Sequence, residues 1–302
     1  MPRVSVIVAA FNSEETLPAA LASVQAQTLD DWEVVVCDDC STDGTAAVAE
    51  GFGGRVRVVR APRNLGPAGA RNLAIEAASG ALIAILDADD CWSPDYLASQ
   101  VSLLDRSNAG GDVGIVACDA RFVDGTGEVL GTYGEQFTFP EQLTLRRLLE
   151  GNLIFVSALV PRPVLDRAGW FATECFGSED WDLWIRIVEL GYRVVRNPEL
   201  LVTYRMGGDQ LSADRGRMAR NMVIVYRRAF ERGRLDWRER RVARRGIRRE
   251  RLVSDLADYR EQRDQGKRVR PGKALRLAAT AALVAAQFPR GRPAALRRLA
   301  RG

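Results

Sequence analysis

Through the first hundred residues, short apolar runs alternate with stretches whose apolar positions recur every three to four residues. VSVIVAAF (4–11), WEVVVCD (32–38), VRVVRA (56–61) and ALIAILD (81–87) are rich in β-branched residues and predict strands. Between them, SEETLPAALASVQAQ (13–27), the stretch around TAAVAEGF (45–52), residues 68–79 and SPDYLASQVSLL (93–104) predict helices. The first and last of these open on a serine suited to capping. Near-continuous apolar strands separated by helices predict a parallel sheet covered on both faces. Ligands of such sheets bind beyond the carboxyl ends of the strands, where the acid clusters Asp38-Asp39 and Asp87-Asp89-Asp90 fall.

From 113 to 205 the pattern is more mixed. VGIVACDARFV (113–123) and LIFVSALV (153–160) are strand-like and flank a helical stretch at 141–150. EDWDLWIRIVELG (179–191) predicts an amphipathic helix with Trp181, Trp184, Ile185 and Val188 on one face. Beyond 214, residues 220–235, 249–262 and 273–288 carry helical spacing. The apolar part of the last, 274–288, is short and interrupted by Arg276, so it is not expected to cross a bilayer.

Charge sharpens this division. Residues 1–214 hold 16 arginines against 31 acids, a net of −15, whereas residues 215–302 hold 27 basic residues against 8 acids, a net of +19. An acidic domain (1–214) followed by a basic helical extension (215–302) is expected, the first divided into a nucleotide-binding half to about 100 and an acceptor-binding half from 101. The 302-residue chain has no histidine, which removes histidine-activated nucleophiles and most zinc sites and leaves carboxylates for acid–base and metal chemistry. Its five cysteines are odd in number and lack framework spacing, as suits a reducing cytoplasm. The opening residues lack the apolar length of a signal peptide, so a cytoplasmic location is expected.

Cys37-Asp38-Asp39-Cys40 has the spacing of a redox couple, but flanking carboxylates raise a thiol's pKa instead of lowering it. Asp87-Ala88-Asp89 ends a strand with two carboxylates pointing the same way. They suit Mg²⁺ or Mn²⁺ with diphosphate oxygens; equally, acids before Ser93-Pro94 suit a helix start. Glu179-Asp180 begins a helix in the same way, or supplies a general base whose pKa is raised by a like charge and by desolvation.

Taken in order, VSVIVAAFN, VVVCDDCSTDGT, NLGPAGARN (64–72), LDADDCWSPDYL (86–97), AGWF (168–171) and SEDWDLWIRI (178–187) resemble the motifs of family 2 inverting glycosyltransferases with the GT-A fold, over about residues 3–212. The resemblance implies an α/β fold, a Rossmann-like mixed sheet between helices, with the C-terminal helices outside it. It implies sugar transfer from a nucleotide-diphosphate donor, UDP- or dTDP-linked, to the hydroxyl of a glycan precursor or natural product. Ala9 and Phe11 would border the base and Asp39 hydrogen-bond it; Arg71, in a glycine-containing loop, would lie near the nucleotide or its phosphates. Asp87 would face the ribose, Asp89 of the DXD motif would hold Mn²⁺ or Mg²⁺, and Asp180 would be the base. Glu179, Trp92 and Trp181 would stand beside the acceptor or support the base.

Family members often carry a histidine shortly after a Tyr-Arg pair, but TYRMGGDQLS (203–212) has glycines there. Water or Asp209 would replace it, or Asp89 and the substrate hold the metal alone, with Arg205 taking more of the diphosphate charge. The alternatives are a sugar nucleotidyltransferase, which needs an Arg-containing glycine-rich opening where this chain has VAAFNSEE, and a degenerate transferase kept for binding. For the basic extension, packing on the body, self-association and peripheral contact with anionic lipid at the inner face of a membrane stay open; no motif points to nucleic acid.

Overall fold

The structure, a computed structural model, describes residues 1–137, 139–207 and 214–265. The chain divides into two compact units, Met1–Gly208 and Asp209–Gly302. In the first, the order is β1 (Val4–Ala10), α1 (Leu17–Gln25), β2 (Trp32–Asp38), α2 (Thr45–Gly51), β3 (Val56–Arg60), α3 (Gly66–Ala77), β4 (Leu82–Asp87), β5 (Cys91–Trp92) and α4 (Tyr96–Ser107). There follow β6 (Val113–Val123), β7 (Val129–Thr132), α5 (Tyr133–Gln136), α6 (Leu145–Glu150), β8 (Leu159–Pro161), α7 (Arg162–Ala168), α8 (Glu179–Glu189) and β9 (Arg193–Arg205).

The strands form one sheet in the order β3-β2-β1-β4-β8-β6-β9-β5, with β7 added on β6. Its first four strands are parallel, as the sequence predicts, in the register Val8↔Val36 and Val8↔Leu86. Val4, Val6 and Val8 turn one way onto Leu17, Leu21 and Val24 of α1, so the alternation of β1 meets the helical period of α1. Beyond β4 the sheet is mixed, because β8 runs antiparallel to both β4 and β6.

Three local expectations change. Of the strand-like run 153–160, only its end enters β8; Ile154, Phe155 and Ala158 are buried without being in a strand, their apolarity spent on packing. β9 was hidden by Arg196, Asn197 and Glu199, yet each has a hydrogen-bond partner. Arg196 pairs with Asp119 at 2.8 Å, Asn197 donates to Ser99 Oγ at 2.7 Å, and the Glu199 N–H donates to the Asn197 side chain. Serine capping also fails: α1 begins at Leu17-Pro18, and the Ser13 hydroxyl donates to the Phe11 carbonyl instead. α4 begins after Asp95, whose carboxylate accepts from the Thr28 hydroxyl.

In the second unit α9 (Arg215–Glu231) and α10 (Trp237–Asp264) pack closely. At Gly246 an added Cβ would lie 2.1 Å from the Tyr226 ring, which explains a glycine inside a long helix. Asp236 caps α10 in a reciprocal box with Glu239. The third predicted tail helix, 273–288, lies outside the described residues, as does Asp209.

Candidate active site

The carboxyl ends of β1 and β2 lie side by side, and the Asp39 N–H donates to the Ala10 carbonyl at 2.8 Å. The loops that follow are tied together: Asn12, at φ 49°, accepts from the Thr42 N–H, and Glu14 accepts from the Gly44 N–H at 2.6 Å. Phe11 is left half exposed at this mouth and Ala9 partly covered. Asp39 is almost fully buried, and its two oxygens accept from the Leu65 and Gly66 N–H groups at 2.7 and 2.8 Å. Burial holds its carboxyl above the usual range while those two amides pull the other way. Asp39 therefore anchors the start of α3, and Gly66, at φ +73° with Phe176 against its α-carbon, fits a conformation that side chains avoid.

The cysteines around it are free. Burial, then the charges of Asp39 and Asp38, push the Cys37 thiol up to about 12, and Cys40 sits exposed at φ 65°. A thiol so raised is a poor redox partner. Replacing Cys37 by alanine and Cys40 by serine should leave the protein's activity within about twofold of the wild type, with no dependence on dithiothreitol.

Arg71 lies not in the preceding loop but in the second turn of α3, and it is buried. One end of its guanidinium donates to Asp87 at 2.6 Å, the other to Glu179 at 2.5 Å. Burial works against its charge, but Asp87 and Glu179 outweigh it, so Arg71 is held more firmly protonated than a free arginine. Phe171 lies beneath the guanidinium at 5.4 Å. The AGWF motif is a clamp around this arrangement. Asn72 of α3 makes a two-way bond with the Phe171 backbone at 2.9 and 3.0 Å, and Arg186 of α8 grips the carbonyls of Ala168 and Trp170.

Oxygens of Asp87, Asp89 and Asp90 lie within 4.8 Å of one another. None of the three caps α4, which removes the helix-start reading of this cluster. Asp90 is fully buried; one oxygen accepts from the Arg205 main-chain N–H at 3.3 Å, and the other has no hydrogen-bond partner among the described residues. Burial, then the charges of Asp87 and Asp89, push its carboxyl well up. Crowded hard oxygen donors with an unmet buried acceptor fit a divalent cation of the Mg²⁺ or Mn²⁺ kind. Asp90 joins the site through its contact with β9, a pairing that spans 115 residues and leaves no mark on local sequence. The Arg205 side chain hydrogen-bonds the Cys91 thiol and, with Arg121, lines a cavity of about 410 Å³.

Asp180 stands in the first turn of α8 and keeps partial exposure. It accepts from Asn152 Nδ2 at 2.8 Å and from the Trp181 N–H at 2.7 Å. Burial and then the adjacent Glu179 charge push it up to about 7, against those two bonds and Arg71. Asn152 escaped the sequence reading because it lies in the irregular stretch before β8, next to a run read as a strand. Trp92 and Trp181 are closed into the core, which takes both away from direct acceptor contact. Trp92 stacks on Tyr96 at 3.9 Å, and the Trp181 indole donates to the Leu148 carbonyl at 2.8 Å.

A mixed sheet of this order, covered by helices, is the build of a GT-A glycosyltransferase. The chain belongs to glycosyl transferase family 2, whose family profile matches residues 5–167. It is 40% identical over 158 residues to the succinoglycan biosynthesis protein ExoO of Rhizobium meliloti (strain 1021), covering 52% of this chain and 44% of that protein, less than half its length. It is 32% identical over 190 residues to the UDP-Glc:alpha-D-GlcNAc-diphosphoundecaprenol beta-1,3-glucosyltransferase WfgD of Escherichia coli, covering 62% and 70% of the two chains. Among solved structures, the mannosyltransferase PcManGT of Pyrobaculum calidifontis, in complex with GDP-Man and Mn²⁺, superposes with a TM-score of 0.65 at 25% identity, over 95% of this chain and 81% of that one.

Proposed function

We propose that the enzyme is an inverting transferase that moves a sugar from a nucleotide-diphosphate donor, UDP- or dTDP-linked, to a hydroxyl of a lipid-linked polysaccharide precursor. The observation that carries this reading is Asp180, a partly exposed carboxylate held near neutrality and joined through Glu179 and Arg71 to Asp87 at the acid cluster. Such a group accepts a proton from an acceptor hydroxyl as its oxygen attacks the anomeric carbon. The carbon–oxygen bond to the nucleoside diphosphate breaks as the new one forms, and configuration inverts. Asp39 and Phe11 border the base at the mouth between β1 and β2, and Asp87 meets the ribose. Asp89, with Asp87 and Asp90 beside it, would hold the divalent cation, which when bound neutralises charge on the departing diphosphate. The names of ExoO and WfgD support a polysaccharide precursor as acceptor, and such an acceptor puts the enzyme peripherally at the inner face of a membrane.

The direct test is release of nucleoside diphosphate from a panel of UDP-, dTDP- and GDP-sugars with a diphospholipid-linked acceptor. One donor should give acceptor-dependent release; none doing so, with the nucleotides still bound, would leave a binding protein. Asp89→Ala should weaken nucleotide diphosphate binding at least tenfold in the presence of Mn²⁺ and little in its absence, as read by calorimetry. Equal losses with and without Mn²⁺ would take the cation away from Asp89.

A further inference from the structure

The first half of α10 carries a charge that its own acids leave uncompensated. Between Trp237 and Arg251 there are eight arginines and two acids, a net of +6. Both acids are already engaged: Glu239 closes the capping box with Asp236, and Glu250 pairs with Arg249 at 2.5 Å. At 100° per residue, Trp237, Arg238, Arg241, Arg245 and Arg248 fall within a 100° arc. That arc lies opposite Ala243 and Gly246, which are buried in the helix pair. All five are exposed, and Trp237, at 68%, is among the most exposed large apolar side chains of the described residues. Arg238 lies over the Trp237 ring at 5.1 Å, and none of these four arginines takes part in an ion pair or side-chain hydrogen bond among the described residues.

An exposed indole at the edge of an arginine stripe is unfavourable in water, and the Arg238 guanidinium above it still leaves it 68% exposed. We propose that this face of α10 is a docking surface for the anionic lipids of a bilayer. The guanidinium groups meet lipid phosphates two donors at a time, and the Trp237 indole enters the headgroup layer, where an amphipathic ring is most stable. Lipid is favoured over nucleic acid because the face carries one aromatic at its end and no series of rings interleaved with the charges for bases to stack on. The proposal draws on the lipid-linked acceptor reading only for the presence of a membrane; the surface itself is argued from α10.

The test is binding of the full chain to vesicles, with no donor or acceptor present. Vesicles one-quarter phosphatidylglycerol should bind it, and pure phosphatidylcholine should not. Changing Arg238, Arg241, Arg245 and Arg248 together to glutamine should weaken binding about 100-fold, since each basic residue near an anionic surface contributes strongly. Changing the same four to lysine should restore it to within about threefold, which a folding defect would not allow. Trp237→Ala should cost about tenfold, and Trp237→Phe should remove a blue shift in fluorescence seen with vesicles. Equal binding to neutral vesicles, an undiminished four-glutamine variant, or binding to duplex RNA in place of vesicles would each overturn the proposal. Nucleotide release with a short soluble acceptor, measured separately, shows whether the transferase reading stands regardless of this outcome.

Discussion

Asp180→Asn should lower kcat by about a thousandfold or more while leaving the donor's dissociation constant within about threefold of wild type, the loss expected of a removed general base. The change keeps the volume of the side chain and removes its capacity to take a proton. In the proposed arrangement the nucleotide is held by groups at the ends of β1, β2 and β4, so calorimetric affinity for the nucleoside diphosphate should barely move. The pH profile adds a sharper condition. With the Asp180 pKa pushed up to about 7, kcat/KM of the wild type should rise with unit slope as pH increases toward 7 and flatten above it. Stability should run the opposite way. A carboxyl whose folded pKa lies above its unfolded value binds its proton more tightly in the native state, so this contribution is complete below about pH 4. It is lost as pH rises from there through 7. Asparagine does not titrate, so the variant should hold its melting temperature between pH 5 and 8 better than the wild type does. A variant with near-normal turnover, or a wild-type rate flat from pH 5 to 8, would take the base role away from Asp180.

The parts of this enzyme that were legible in its sequence are those whose physics is local. The β-branched runs of β1, β2 and β4 lie between covered faces, and their pattern needs no knowledge of partners. Asp87 and Asp180 were likewise legible, since a strand end and a helix mouth are positions a short window defines. β9 was hidden because Arg196 and Asn197 are polar for reasons lying 77 and 98 residues away, in Asp119 and Ser99. Asn152 was missed for the same reason, since it meets Asp180 across 28 residues; Asp90 was read with its acid cluster, but its bond to the backbone of Arg205 was not. Arg71 was read in the wrong element. A loop arginine near phosphates was expected, whereas the helix α3 turns it inward to two carboxylates.

That inward turn makes Arg71→Met the most damaging substitution expected outside the reacting groups. The Arg71 and Glu179 side chains are about 6% and 5% exposed, so removing the guanidinium leaves Glu179 as a buried charge without its counter-ion. Breaking a buried pair from one side costs on the order of 3–5 kcal/mol, and Asp87 also loses its 2.6 Å partner, though its greater exposure softens that loss. Thermal or urea unfolding of the full chain reads this directly. Arg71→Lys separates geometry from charge: a single ammonium supplies one point charge in place of a planar fork that reaches Asp87 with one nitrogen and Glu179 with the other. The lysine variant should recover much of the stability and little of the rate. The pH profile distinguishes a positioning residue from a merely structural one. Arg71 is among the groups holding the Asp180 pKa down, so in either variant that still folds and loses this charge or its placement, the rising limb should move to higher pH. An unmoved limb with lowered stability would confine Arg71 to the core. A moved limb would make the chain Asp87–Arg71–Glu179 the means by which the acid cluster sets the proton affinity of the base.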